Sequence, residues 1–208
     1  LFPYTTLFRS VVVVGIFAVI YFSGDGESNS FEQSDSLSEQ YTSLEHRPDY
    51  DLENIERLLV EYTNKNRIEN GVEPLEVDEE LIAIARAHSQ DMAENNFFSH
   101  VNLDGLSAND RAINAGYECE KEHEGMIFFG ISENIGLRSL SKSYIVEDGK
   151  ELHNWHTDEK LFAELSINAV MDSPEHKDNM LKPYKDRVGI GVAINNENKL
   201  YQTQNFCW

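Results

Sequence analysis

Three regimes of hydrophobic patterning divide the chain. Val11–Phe22 reads VVVVGIFAVIYF and is apolar throughout, 24–50 is polar and acidic with few aliphatic side chains, and from Asp51 onward apolar positions recur with regular periods between turn residues. The twelve residues of the first run fall short of the roughly twenty a membrane-spanning helix needs, and match the apolar core of a signal peptide. Arg9 before the run and Asp25 and Glu27 after it predict that the downstream chain lies outside the cell. Residues 1–23 are therefore read as a signal peptide or, if residues 1–10 stand in place of a longer apolar start, a membrane anchor; residues 1–10 carry no readable signal of their own. A segment like 24–50 cannot bury enough apolar surface to offset its ordering entropy, and is read as a flexible tether.

The remainder, 51–208, is predicted to fold as one domain. Ile55, Leu58, Leu59 and Tyr62 share one helix face, and Asn70-Gly71 stops that helix. Pro74-Leu75 makes a short extended link. A second helix starts from the N-cap type Asp78, aligns Leu81, Ile82, Ala85, Ser89 and Met92 with His88 at the border of that face, and ends near Asn95-Asn96. Ser107 with Asp110 predicts a capping box for a third helix closing at Gly116. Asp158–Met171 is a fourth, and Ser173-Pro174 opens a short fifth that Pro183 stops. The period then changes to two: Val188, Ile190, Val192 and Ile194 alternate with Gly189, Gly191 and Ala193, and Asn195–Asn198 turns the chain into the extended run Leu200–Phe206. Helices followed by a terminal antiparallel hairpin predict an α+β fold in which helices cover a sheet.

Composition changes this picture in two respects. The 17 Lys and Arg against 37 Asp and Glu leave a formal charge of −20, a field that repels the phosphate backbone and argues against nucleic-acid binding. Cys119 and Cys207 are the two cysteines, with no Cys-x-x-Cys spacing, so they are either one bridge across a long loop or two buried thiols. A bridge would contribute on the order of 4 kcal/mol by restricting the unfolded chain.

Imidazole binds divalent metals and moves protons near neutral pH, which directs attention to the histidines. His100 lies just past the second helix, His176 lies in the first turn of the fifth, and Glu133 lies between them in Gly130–Gly136, read as a tight Gly-rich loop. Two imidazoles and a carboxylate can hold a metal with open positions or work as an acid and base pair. Asn179 is expected to fix its helix and the following turn. His153, Trp155 and His156 are read as an exposed polar loop, with a second metal site as the alternative.

Taken together and in order, Phe97–His100 (FFSH), Ser132–Gly136 (SENIG), Ser173–Leu181 (SPEHKDNML) and Val188–Val192 (VGIGV) resemble the prokaryotic pattern of the CAP superfamily, the cysteine-rich secretory, antigen 5 and pathogenesis-related 1 proteins. The resemblance implies a three-layer α-β-α sandwich with a central antiparallel sheet, and a cleft where two histidines meet acidic partners, zinc being among the metals described there. Carried over by position, the histidines are His100 and His176, expected as metal ligands and, with Glu133, as the catalytic groups if the protein is an enzyme. Ser173 stands where animal and plant members have a second acid, and Val170 stands where a tryptophan is usual. Ser173 and Asn134 are the expected contacts to a bound cofactor or ligand. The stretch 137–168 is longer than the pattern and is read as an insertion over or beside the cleft. Two classes of function are open: an extracellular module binding a small hydrophobic ligand, a cell-envelope component or a metal, and a metal-assisted hydrolase acting through His100, Glu133 and His176. A third reading is an interaction or spacer unit with a vestigial site.

Overall fold

The computed structural model describes residues 47–123, 125–147 and 149–208; Val11–Phe22 and most of the tether lie outside them. Among the described residues no helix is long and apolar enough to cross a membrane. They divide into two units, one comprising 49–140 and 157–208, the other containing the segment 141–156.

The larger unit opens with α1 (Leu52–Glu69), capped by Asp51 through the Asn54 amide. The short β1 (Glu76–Val77) follows, then α2 (Glu79–Asn95), whose first turn Asp78 caps. Next comes α3 (Ala108–Asn114), where Ser107 and Asp110 form the reciprocal capping box. After β2 (Glu120–His123) and β3 (Met126–Phe129), an antiparallel pair, comes β4 (Ser132–Ser139). Helices α4 (Glu159–Asp172) and α5 (Pro174–Leu181) and strands β7 (Arg187–Ile194) and β8 (Lys199–Cys207) complete it. The sheet order is β1-β7-β8-β4; β7, β8 and β4 are antiparallel and the two-residue β1 joins in parallel. This is the expected α+β sandwich.

Alternation along β7 sorts the layers. Gly189 and Gly191 face α2 so closely that a Cβ on Gly191 would lie 2.1 Å from the Arg86 amide nitrogen and one on Gly189 2.2 Å from the Leu81 carbonyl carbon. Ser89 Oγ crosses the same contact, donating to the Gly191 carbonyl at 2.9 Å and meeting Thr203 Oγ1 at 2.9 Å. Val188, Ile190 and Val192 turn to the opposite face, which α1, α4 and α5 cover, and all three are buried. The free edge of β7 beyond β1 is closed by buried Glu56, which accepts from the Val192 amide at 3.0 Å and from Arg86 Nε at 3.0 Å. Arg67, fully buried at the end of α1, donates to the carbonyls of Glu73, Met180, Lys182 and Lys185, which ties α1 to the end of α5 and the loop after it.

Three sequence readings change. Ser132–Gly136 is not a tight loop: it is the start of β4, with Glu133 paired to Asn205 and Asn134 to Gln204. Polar residues at its head gave no alternating signal, and pairing with β8 overrides local preference. Within 137–168, read as an insertion, Leu137–Ser139 instead complete β4, and Glu159–Asp172 form the predicted fourth helix, α4, which packs on α1. The second unit holds the antiparallel strands β5 (Ser141–Glu147) and β6 (Lys150–Trp155). His153 and Trp155 are therefore not in an exposed loop; the His153 ring stacks on Trp155 at 4.6 Å and lies 5.5 Å from Tyr144, and Trp155 is buried.

Of the two options for the cysteines, the bridge is present: Cys119 and Cys207 are joined, with Cα atoms 5.7 Å apart across 88 residues. Reduction is expected to cost about 4 kcal/mol through the freed unfolded chain, read as a fall in melting temperature with reducing agent. Gly191→Ala is expected to cost about 3 kcal/mol or more, because the new methyl meets helix backbone rather than a movable side chain; urea unfolding should show it, whereas Gly71→Ala should cost less, the strain of its positive φ alone.

Candidate functional site

His100 belongs to the loop 96–107, which starts where Asn96 adopts a left-handed conformation (φ 51°) and ends α2. The loop is held from both neighbouring helices. His88 on α2 sends its Nε2 to the Ser99 carbonyl at 3.0 Å, and since a carbonyl can only accept, that nitrogen carries the proton. Arg111 on α3 donates through Nη1 to the His100 carbonyl at 2.9 Å and the Leu106 carbonyl at 3.0 Å. Asn102 Oδ1 closes the turn by accepting from the Leu106 amide at 2.8 Å.

The side chain of Glu133 projects from β4 toward this loop. It is 3% exposed, and both oxygens are engaged: Oε1 with His100 Nδ1 at 2.9 Å and Oε2 with Arg111 Nη2 in an ion pair. The carboxylate therefore fixes the tautomer of His100. Nδ1 donates inward, Nε2 is the basic nitrogen, and the ring, 54% exposed, presents it outward. This hydrogen bond raises the His100 pKa above its ordinary value, with partial burial opposing it. Burial is the leading cause for His88, whose pKa is lowered.

His176 comes from the other side of the same strand. Neighbouring residues on β4 face opposite ways, so Glu133 meets α3 while Asn134 meets α5. The buried Asn134 amide donates to the His176 carbonyl at 3.0 Å and to Gln204 Oε1 at 3.2 Å, and its Oδ1 accepts from Asn179 at 3.0 Å. Asn134 and Asn179 thus seat α5 against the edge strand, and Lys182 Nζ in the turn after α5 donates to Asn179 Oδ1 at 3.3 Å. Ser173 sits between α4 and α5, and its hydroxyl makes no capping bond. His176 lines a cavity of about 270 Å³ along β4 with Phe98, Leu137, Ser166 and Val170. His100 and Glu133 are hydrogen-bonded, then, while His176 is tied to β4 through its backbone carbonyl, by Asn134, and Ser173 precedes it at the start of α5.

Arg111 and His88 are the neighbours of the His100–Glu133 pair that sequence reasoning passed over. The capping box located the helix that carries Arg111, but its charge had no visible partner until β4 was a strand. His88 was placed only at the border of its helix face, although it is the group that holds the backbone beside His100.

A sheet clasped between α2 and α3 on one face and α1, α4 and α5 on the other, with a histidine–carboxylate pair at its open edge strand, defines an α-β-α sandwich domain with its site on that edge. Residues 60–206 match the family model described as CAP, the cysteine-rich secretory protein family, and the chain belongs to that family. It is 30% identical over 138 residues to the uncharacterized protein YkwD of Bacillus subtilis, an alignment covering 66% of this chain and 42% of the relative, so the chain spans less than half of that protein. In fold it is similar to an extracellular protein containing an SCP domain from Bacillus anthracis, with a TM-score of 0.55, 20% identity and coverage of 78% of this chain and 45% of that one. An outer surface protein of Borrelia burgdorferi gives 0.54 at 17% identity, covering 78% and 98% respectively.

The two histidines pull stability in opposite directions with pH. Because the folded pKa of His100 is raised, its contribution is complete below the ordinary imidazole value and is lost as pH rises through the raised one. His88 is folded in its neutral form, so its penalty appears as pH falls through the ordinary imidazole range and the unfolded chain gains a proton. Proton-resolved NMR titration should show His100 titrating above and His88 below that range, with Glu133→Gln bringing His100 down. Arg111→Ala strands a buried carboxylate and is expected to cost about 3 kcal/mol in urea unfolding.

Proposed function

We propose that this domain works outside the cell as a binding module, its ligand a small, mainly apolar molecule seated along β4 and oriented by the basic Nε2 of His100. Two observations carry the reading: the His100–Glu133 bond, in which a buried carboxylate orients a half-exposed imidazole, and a cavity along β4 whose lining includes Phe98, two residues before His100, with Leu137, Val170 and His176. Apolar walls with one convergent polar group are the usual makings of a small-molecule site. The extracellular assignment draws on the acidic charge, the Val11–Phe22 run and the extracellular and outer-surface descriptions of the similar structures. In this reading that run delivers the domain across the membrane or tethers it there.

Zinc fits these residues poorly. Both oxygens of Glu133 are committed to His100 and Arg111, and among the described residues no group of three or more His, Cys, Asp and Glu side chains is gathered to hold a metal ion. Of the two expected donors, His100 lies in the loop after α2 and His176 on α5. A hydrolase is the second reading, favoured by one feature: an imidazole whose tautomer is set by a carboxylate is also the geometry of a general base and its orienter.

Solvent extraction of the purified chain followed by mass spectrometry should recover a small amphiphile, and Val170→Trp, which fills the cavity, should lower its occupancy about tenfold. An equal yield from both proteins would overturn the reading. Zinc should leave the melting temperature unchanged; a rise abolished by both His100→Ala and His176→Ala would put a metal site in its place. Ester or peptide hydrolysis lost in His100→Ala would favour the second reading.

A further inference from the structure

Away from the edge of β4, the strands β2 and β3 and the helix α3 enclose a second groove of about 520 Å³, whose lining includes Ala112, Ile113, Phe129 and Ile131 together with Glu118 and Glu120. Apolar side chains on and beside it are unusually open: Ile113 is 70% exposed, Phe129 69% and Ile127 57%.

The register explains why these groups share one surface. Glu120 pairs with Phe129 and Glu122 with Ile127, and directly paired residues of antiparallel strands project from the same face. The intervening pair, Lys121 with Phe128, projects from the other face, where Lys121 bonds Asp186 at 2.6 Å and the Phe128 ring lies 5.6 Å from Trp208. One face of the hairpin is therefore bound to the body of the domain, and the other presents alternating apolar and acidic side chains to solvent. Glu118, Glu120 and Glu122 are all exposed. The disulfide at Cys119 and the Gly130 amide bond to the Cys119 carbonyl at 2.9 Å fasten the base of this hairpin, so the surface is fixed before anything binds.

We infer that this face is a docking site for a basic amphipathic polypeptide segment, one that alternates Lys or Arg with aliphatic or aromatic residues. Its apolar side chains fill the groove and pack on Ile113, Ile127 and Phe129, and its cations meet Glu118, Glu120 and Glu122. Charge complementarity selects this occupant. An anionic lipid surface is repelled by the same carboxylates that a cationic peptide satisfies, and the chain's formal charge of −20 steers basic partners toward it. The docking face is separate from the His100–Glu133 pair and does not depend on the ligand reading.

Fluorescence anisotropy of the full chain with a labelled peptide of alternating leucine and lysine tests the inference, beside two matched peptides, one of leucine and glutamate and one of serine and lysine. The leucine–lysine peptide should bind, and both Ile113→Ser/Phe129→Ser and Glu118→Gln/Glu120→Gln should weaken it about tenfold, the scale of a lost interface anchor. The Glu→Gln pair keeps the shape of the surface and carries the test if the Ser pair alters the circular-dichroism melt. Equal binding of the serine–lysine peptide would reduce the effect to net charge and overturn the inference, as would binding unchanged in both double variants. Retention on zwitterionic phosphatidylcholine vesicles that Phe129→Ser abolishes, with no peptide binding, would assign the face to a membrane instead.

Discussion

The close approach of α2 to β7 is the constraint on which the site depends. Two residues without side chains at Gly189 and Gly191 let helix backbone lie directly on strand backbone, and Ser89 bonds across the contact. That contact sets the height and direction of α2, and so the point where Asn96 ends it and the loop carrying His100 begins. His88, one residue before Ser89, then lies where its ring can hold the Ser99 carbonyl. A bulkier residue at either glycine would lift the helix and with it everything that meets Glu133.

Around Glu133 the electrostatics are self-consistent. Removing a carboxylate from water is costly unless charge and hydrogen bonds replace the lost hydration. Arg111 supplies the charge and His100 the second hydrogen bond, so the acid stays buried while its partner imidazole stays half in solvent. The same carboxylate that needs His100 also decides which of its nitrogens faces out. On the opposite side of β4, neutral amides do the positioning, Asn134 and Asn179 locking α5 to the strand, while the Arg67 guanidinium holds the end of α5 and the turn beyond it through the carbonyls of Met180, Lys182 and Lys185.

The acidic composition thus has two distinct fates. Glu56 and Glu133 are buried and paired, and close the sheet edge and the site respectively, whereas Glu118, Glu120 and Glu122 stand exposed beside apolar neighbours. A net charge of one sign describes both and distinguishes neither. Position relative to a partner cation separates a structural carboxylate from one available for recognition.

By itself the amino-acid sequence determined a good deal: the extents of helices α1 to α5, with the caps at Asp78 and Ser107, and the terminal hairpin with its glycine alternation. These are set by local hydrogen bonding and by periods of 3.6 and 2, which residues a few positions apart display. Motif order singled out His100, Glu133 and His176, of which the structure joins His100 and Glu133 by a hydrogen bond. What the tertiary structure decided was everything that depends on residues distant along the chain. It made Ser132–Gly136 a strand, because β8 offered it a partner; it joined Cys119 to Cys207; it put Glu133 and Asn134 on opposite faces; and it brought Arg111 and His88 to the site. An ion pair or a cross-strand register has no signature within a local window, since its energy exists only once the fold has brought its two halves together.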